Sequence, residues 1–400
     1  MSAEIKYDLA SDSRQKYIDK YNFAPRGLSS LEPGTLSQDY PEFNAFNIAK
    51  SYYQINPHVF NLEAIAAEVD LDTDEVAERI KAMYDKHLIL YVANPAVELQ
   101  GFGLYYTLVK LEDDVSKEDK TKLSKFLQEK DAICSGYEVS GDYDFYIGNH
   151  MRVLDNLLAD VIYPLVALDA VKYVRINPVK RNIRDSSVNL WDVYPQENYA
   201  KFNFSEEAKE KFLEVQDKMD AADFAIYEAL NKHRDVEDMF NYDLLEEISG
   251  IDKDDLIQGI EDIRKGQYFL PLFHLNINEL GIKNHIFLVS TFQSTETYKN
   301  SELADKLSQS DKFNYILEFT DSFYNLALGA FKGLEDIDAI RAKLNAYPEV
   351  ESIDEIDTER MYRRWACRLD FENGNWEQTV FTDDNLLDYA KIKHEQEENK

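Results

Sequence analysis

From Pro41 onward the chain alternates between two hydrophobic periods. Apolar positions recur at helical spacing three times before residue 85: Phe43, Phe46, Ile48, Ala49 and Tyr52; Leu62, Ile65, Ala66 and Val69; Val76, Ile80, Met83 and Tyr84. Each set forms one apolar stripe, so three short helices are expected. Asp72 reads as the N-cap of the third, with Glu75 placed for a carboxylate variant of the capping box. LILYV (88–92) is a short alternating run and NPAVELQG after it is turn chemistry, which makes the unit a winged helix-turn-helix. GLYYTLVKL, KEDKTKLSKFLQEK, ICSGYEVS, FYIGNHM, LDNLLADVIY and AVKYVRINPV then read as strand, helix, strand, strand, helix, strand. That is the βαββαβ order of a ferredoxin-like domain.

The pattern returns when the sequence is slid by about 180 residues, a spacing that marks an internal repeat. Leu71-Asp72-Thr73-Asp74-Glu75-Val76 meets Ile251-Asp252-Lys253-Asp254-Asp255-Leu256, Gly101 meets Gly281, and Glu138-Val139-Ser140 meets Glu318-Phe319-Thr320. The expected fold is therefore α+β, two repeats of winged helix-turn-helix plus ferredoxin-like βαββαβ domain. Boundaries fall at 1–40 (N-terminal arm), 41–98 (winged helix 1), 99–183 (ferredoxin-like domain 1), 184–205 (linker), 206–279 (winged helix 2), 280–383 (ferredoxin-like domain 2) and 384–400 (polar tail).

Charge changes the picture of what such a chain can hold. Seventy-six acidic residues against 44 basic ones give a net charge of −32, a field that repels phosphate backbones at long range. The helix from residue 72 to 83 carries Asp72, Asp74, Glu75 and Glu78 against Arg79 and Lys81, and its counterpart from 252 is more acidic still. A helix reading base edges in the major groove needs the opposite balance. Cys134 and Cys367 are far apart and sit in no metal-binding spacing, so no disulfide framework, metal site or cofactor is expected and a cytoplasmic setting fits. No apolar run of about eighteen residues occurs, so no membrane partner is expected.

NLEAIAAEVDLDTDEVAERIKAMYDKHLI, the hinge VELQGFG and GYEVSGDYDFYIGNHMRVLDNLLADVIYPLVALDAVKYVRI together resemble the Lrp/AsnC (feast/famine) regulators. In that family the βαββαβ module is the effector-binding RAM domain, and it pairs its sheet with a second copy. The resemblance implies an archaeal-style transcriptional regulator responding to an amino acid or other small effector at Gly141, Asp142, Tyr143 and Asp144. It also implies duplex DNA as a partner, met through Thr73, Arg79 and Lys81. Two units in one polypeptide would form an intramolecular pseudo-dimer, and a homodimer remains open. In this alignment the second copy has Asp321-Ser322-Phe323-Tyr324 where the first has its G-D-x-D turn.

Three readings compete: a DNA-binding regulator with acid-weakened recognition helices, a regulator or assembly factor acting through a protein partner, and a tetrapyrrole enzyme resembling the siroheme decarboxylases. The RRFGA-like wing and HNY-like strand of those decarboxylases are missing, and no catalytic motif stands out. The turn residues also fit an ordinary hairpin, in which glycine supplies positive φ and aspartates bond the backbone. Arg360, Arg363, Arg364 and Arg368 form the sharpest charge anomaly, either an anion or partner patch or a set of internal ion pairs.

Overall fold

The computed structural model describes residues 61–86, 88–95, 103–130, 133–151, 154–185, 188–189, 218–233, 242–249, 251–266, 269–292, 301–320, 323–364, 367–369 and 376–378. The expected arm, the helix at 43–52, most of the linker and the tail lie outside these residues.

The first half runs α1 (Leu62–Val69), α2 (Thr73–Asp85), β1 (Ile89–Pro95), β2 (Gly103–Leu111), α3 (Lys117–Glu129), β3 (Ser135–Gly141) and β4 (Phe145–Met151). It continues through α4, made of Leu154–Leu157, a π-helical turn Leu158–Ile162 and Tyr163–Val166, to β5 (Val171–Asp185) and β6 (Val188–Asn189). The second half runs α5 (Ala221–Lys232), α6 (Tyr242–Ser249), α7 (Lys253–Gly266), β7 (Phe269–Leu275), α8 (Ile277–Leu280), β8 (Lys283–Thr291), α9 (Glu302–Leu307), β9 (Tyr315–Phe319), β10 (Leu326–Lys332), α10 (Ile337–Asn345) and β11 (Val350–Arg364). Short strands β12 (Cys367–Leu369) and β13 (Trp376–Gln378) pair with each other. Starts at 73 and 253, 89 and 269, 103 and 283, and 135 and 315 are each 180 residues apart.

This mixed α+β chain divides into two compact units, and the division follows element type rather than sequence order. One unit holds 1–101, 222–275 and 365–400, the other 102–221 and 276–364. In the first, Asn61 caps α1 by accepting from the Ala64 amide at 3.0 Å, and Asp70 ends it in the left-handed conformation. Asp72 occupies the N-cap of α2, but its side chain makes no capping hydrogen bond. Glu75 turns instead to Arg79, four residues on, at 3.0 Å, so the expected capping box does not form. Leu62, Ile65, Val76, Ile80 and Met83 bury the shared face of α1 and α2. β1 pairs antiparallel with β7, residue for residue from Ile89–Leu275 to Pro95–Phe269.

In the second unit eight antiparallel strands close on themselves in the order β11-β3-β4-β2-β5-β9-β10-β8, with β8 pairing back to β11. Period-two alternation sorts the side chains. Leu108, Val139, Tyr146, Ile286, Leu288, Leu317, Ala327 and Ile356 form one cluster inside. Phe287, Val289, Ile316, Leu326 and Leu328 face the other way, under Leu303 and Leu307 of α9 and Ile340 and Leu344 of α10. Two seams join strands of the two halves, β3 with β11 and β5 with β9. β5 extends to Asp185, beyond position 183 where the hydrophobic pattern ends the domain, and its Arg184 pairs with Ile316 of β9 at a seam.

Each seam is latched by a buried arginine 179 positions from its counterpart. Arg184 is 1% exposed and donates to the carbonyls of Ser308 (2.6 Å), Ser310 and Phe313 (2.8 Å), at and beyond the C-terminal end of α9. Arg363 donates to the carbonyls of Gln128 (3.0 Å) and Lys130 (3.2 Å), at the end of α3. In both cases a cation meets carbonyls that have no helical partner, at the negative end of a helix dipole.

Carboxylates along β11 make the barrel acid-sensitive. Hydrogen bonding to Arg341, with His285 adding, holds the Glu355 carboxyl below its ordinary range. Burial pushes Asp357 the other way, but hydrogen bonds from Lys332 and His285 outweigh it and leave its carboxyl below the usual range too. A carboxylate depressed in the folded state contributes stability above its unfolded pKa and loses it as pH falls through the folded one. Thermal unfolding should therefore be flat between about pH 6 and 7 and drop steadily below about pH 4.5. A melting temperature unchanged down to about pH 3 would contradict this.

Candidate functional site

The turn between β3 and β4 is held from all sides. Gly141 sits at φ +112, and a Cβ there would stand 2.3 Å from the Glu355 carbonyl oxygen. Asp142 clamps β11 twice: its amide donates to the Glu355 carbonyl (3.2 Å) and its carboxylate accepts from the Glu355 amide (3.0 Å). Asp144 accepts from the Leu111 amide at 2.9 Å and stands 3.4 Å from the Lys110 ammonium. Tyr143 is buried and its hydroxyl lies 2.8 Å from that of Tyr324. Every expected effector residue thus has an internal structural task.

In the second copy the residue that closes the turn is anchored in the same way, one position later. Asp144 donates its amide to Val109, accepts at its carbonyl from Val139 and takes the Leu111 amide on its side chain; Asn325 does the same with Val289, Phe319 and Thr291. All three partners are shifted by 180, whereas the turn residue is shifted by 181. Tyr324 is therefore the counterpart of Tyr143 rather than of Asp144. The two equivalent tyrosines meet edge to face, centroids 6.3 Å apart, between the two halves of the barrel. Burial pushes both hydroxyls above their ordinary pKa, and Tyr324 donates onward to Asp354.

Asp354 lies opposite Leu288 on β8, and Arg175 lies opposite Leu108 on β2, 180 residues earlier. Directly opposed residues share a face of the sheet, so both point with the inner cluster, toward the tyrosine pair. Here the two copies differ in charge. The Arg175 guanidinium stacks on Phe323, 3.6 Å from the ring centroid, and lies 5.8 Å from the Tyr173 ring. Phe323 and Tyr173 are 42% and 40% exposed, which opens this end of the barrel to solvent. The hydrophobic pattern does not single out Arg175, Tyr173, Phe323 or Asp354. A strand-four residue whose sign reverses between copies is the signal that could have found them.

The other candidates are placed as follows. Thr73 starts α2, half-buried. Arg79 pairs with Glu75 and, at 2.9 Å, with Asp223; Lys81 pairs with Asp85 at 2.7 Å. On α7, Lys253 pairs with Asp243. Arg363 is the buried latch described above, so it is not presented as a surface patch; Arg360 is exposed beside the Tyr362 ring. The side chains of Arg364 and Arg368 lie outside the described residues. Among those residues no group of metal-binding side chains forms a candidate metal site, and no helix is long and apolar enough to cross a membrane.

No protein-family model matches this chain, and no curated protein matches it. Among solved structures, the siroheme decarboxylase NirDL in complex with an iron-uroporphyrin III analogue is similar at 10% identity over 88% of this chain and 100% of that one, TM-score 0.46. A Neisseria meningitidis transcriptional regulator in complex with L-Met is similar at 14% identity over 37% of this chain and 91% of that one, TM-score 0.27. AsnC of E. coli is similar at 16% identity over 34% of this chain and 92% of that one, TM-score 0.27.

Proposed function

We propose that this chain is a regulator of Lrp/AsnC type that carries both members of a dimer in one polypeptide and senses a small effector at the barrel. The units at 61–95 and 221–275 are read as two winged helices, and the eight-stranded barrel as two RAM-like βαββαβ domains paired within the chain. One observation carries the functional half of this reading: each described cation of α2 and α7 is already paired with a carboxylate of the same chain. Counterion release from phosphates supplies most non-specific DNA affinity, and paired cations in an acidic helix cannot provide it. The winged helices therefore act in regulation through contacts other than a tight grip on generic duplex.

Releasing the cations tests this. The double variant Glu75→Gln, Asp223→Asn removes two carboxylate partners of Arg79 and two negative charges, one on α2 and one on α5. Its affinity for a random duplex at low salt should exceed that of the wild type by about tenfold. Wild-type and variant proteins binding equally well would remove the charge argument.

A further inference from the structure

We infer that the open end of the barrel, between Tyr173, Arg175 and Phe323, is a binding site for a small carboxylate that carries a flat aromatic ring. The argument begins with how arginines are used in this chain. Among those whose side chains are described, Arg79, Arg181 and Arg341 pair with carboxylates, Arg184 and Arg363 bond to carbonyls, and Arg360 lies against Tyr362. The Arg175 side chain makes no hydrogen bond and no ion pair with the described residues; it lies against the Phe323 and Tyr173 rings. Its Nε is shielded from solvent and unpartnered. A guanidinium whose Nε–H is shielded without a partner is an unusual thing to leave beside an interior, because buried donors without partners are costly.

Abundant carboxylates do not quench it. Asp354, its counterpart in the other copy, acts on the same Tyr143 but forms no ion pair with Arg175 and accepts instead from Tyr324. The half-site around Asp354 is closed by that hydrogen bond, and the half-site around Arg175 is left open. The Phe323 ring, 3.6 Å from the guanidinium carbon, covers one side of the group, and the planar fork of N–H donors matches the two oxygens of a carboxylate. Two rings, each about two-fifths exposed, flank that position. A ring attached to the bound carboxylate would cover them, which is the chemistry that exposed aromatics beside a cation favour.

The inference rests on reading the barrel as a sensing site, and the experiment separates the two. Titrate the full chain with phenylacetate by calorimetry, with cyclohexylacetate, 2-phenylethylamine and acetate as comparisons. Phenylacetate should bind more tightly than cyclohexylacetate and acetate, and the amine should not bind. Arg175→Gln should weaken phenylacetate binding at least about tenfold, the effect of one charge-assisted pair. Arg175→Lys, which keeps the charge but not the planar fork, should fall between, and Tyr173→Leu should erase the preference for the aromatic acid. If Arg175→Gln does not fold, the lysine and leucine variants decide. Absence of phenylacetate binding at millimolar concentration, binding that ignores these substitutions, or equal binding of the amine each overturns the site. Stabilisation by a panel of amino acids without phenylacetate binding overturns this inference and leaves the regulator reading standing.

Discussion

Arg184→Met is expected to lower the unfolding free energy by about 3–5 kcal/mol, and Arg363→Met by about 2–4 kcal/mol. The guanidinium of Arg184 is fully enclosed and donates to three carbonyls at and beyond the end of α9. Methionine fills much of the volume but donates nothing, so the Phe313 carbonyl loses a buried donor and those of Ser308 and Ser310 lose part-buried ones. Each such group costs roughly 1–3 kcal/mol. Arg363 serves two carbonyls in the equivalent place and should cost less. Because the arginines latch opposite seams of one ring, the double variant should lose about the sum of the two effects or more. Urea unfolding measures this. A loss below about 1 kcal/mol for Arg184→Met would mean that the seams are held by strand pairing alone.

Gly141→Ala should be nearly as damaging, at about 3–4 kcal/mol. Positive φ is strained for any residue with a Cβ, and at this position the Cβ would also meet the backbone of β11 at 2.3 Å. That contact can be relieved only by opening the β3–β11 seam. Gly333 supplies a control within the same molecule, since it has φ +105 but a methyl group there would meet nothing within 4 Å. Gly333→Ala should cost only the conformational strain, about 1 kcal/mol. Equal losses at the two glycines would show that the close approach of Glu355 is not felt.

Much of the strand and helix order is legible in the sequence, because period-two and helical stripes are local signals. The 180-residue repeat is equally plain. What escapes a local reading is a one-residue insertion in the second turn, which sets Tyr324 against Asp144 and makes the second turn look lost. Backbone partners reveal that Asn325 does the work of Asp144, and no local pattern carries that information. The arginine cluster is visible as an anomaly, but its meaning depends on strand register across a seam. Arg184, with the same job, draws no attention because it stands at the edge of an apparent linker. The turn residues Asp142 and Asp144 are legible as a site in either of two senses; the geometry commits their side chains to backbone amides. Arg175 passes unnoticed, since a single arginine in a strand is ordinary until its partners are counted.

Whether the paired cations of α2 and α7 leave these two helices without a grip on DNA can be measured by fluorescence anisotropy of a labelled random duplex titrated with the full chain. Salt should be stepped from about 50 to about 200 mM, the range over which phosphate contacts are lost. Weak or absent binding at the lowest salt, with a shallow dependence of affinity on salt, is the expected result. Tight binding at low salt, falling by about three to five orders of magnitude across that range, would contradict it, since such a slope requires about six or more phosphates neutralised by free cations.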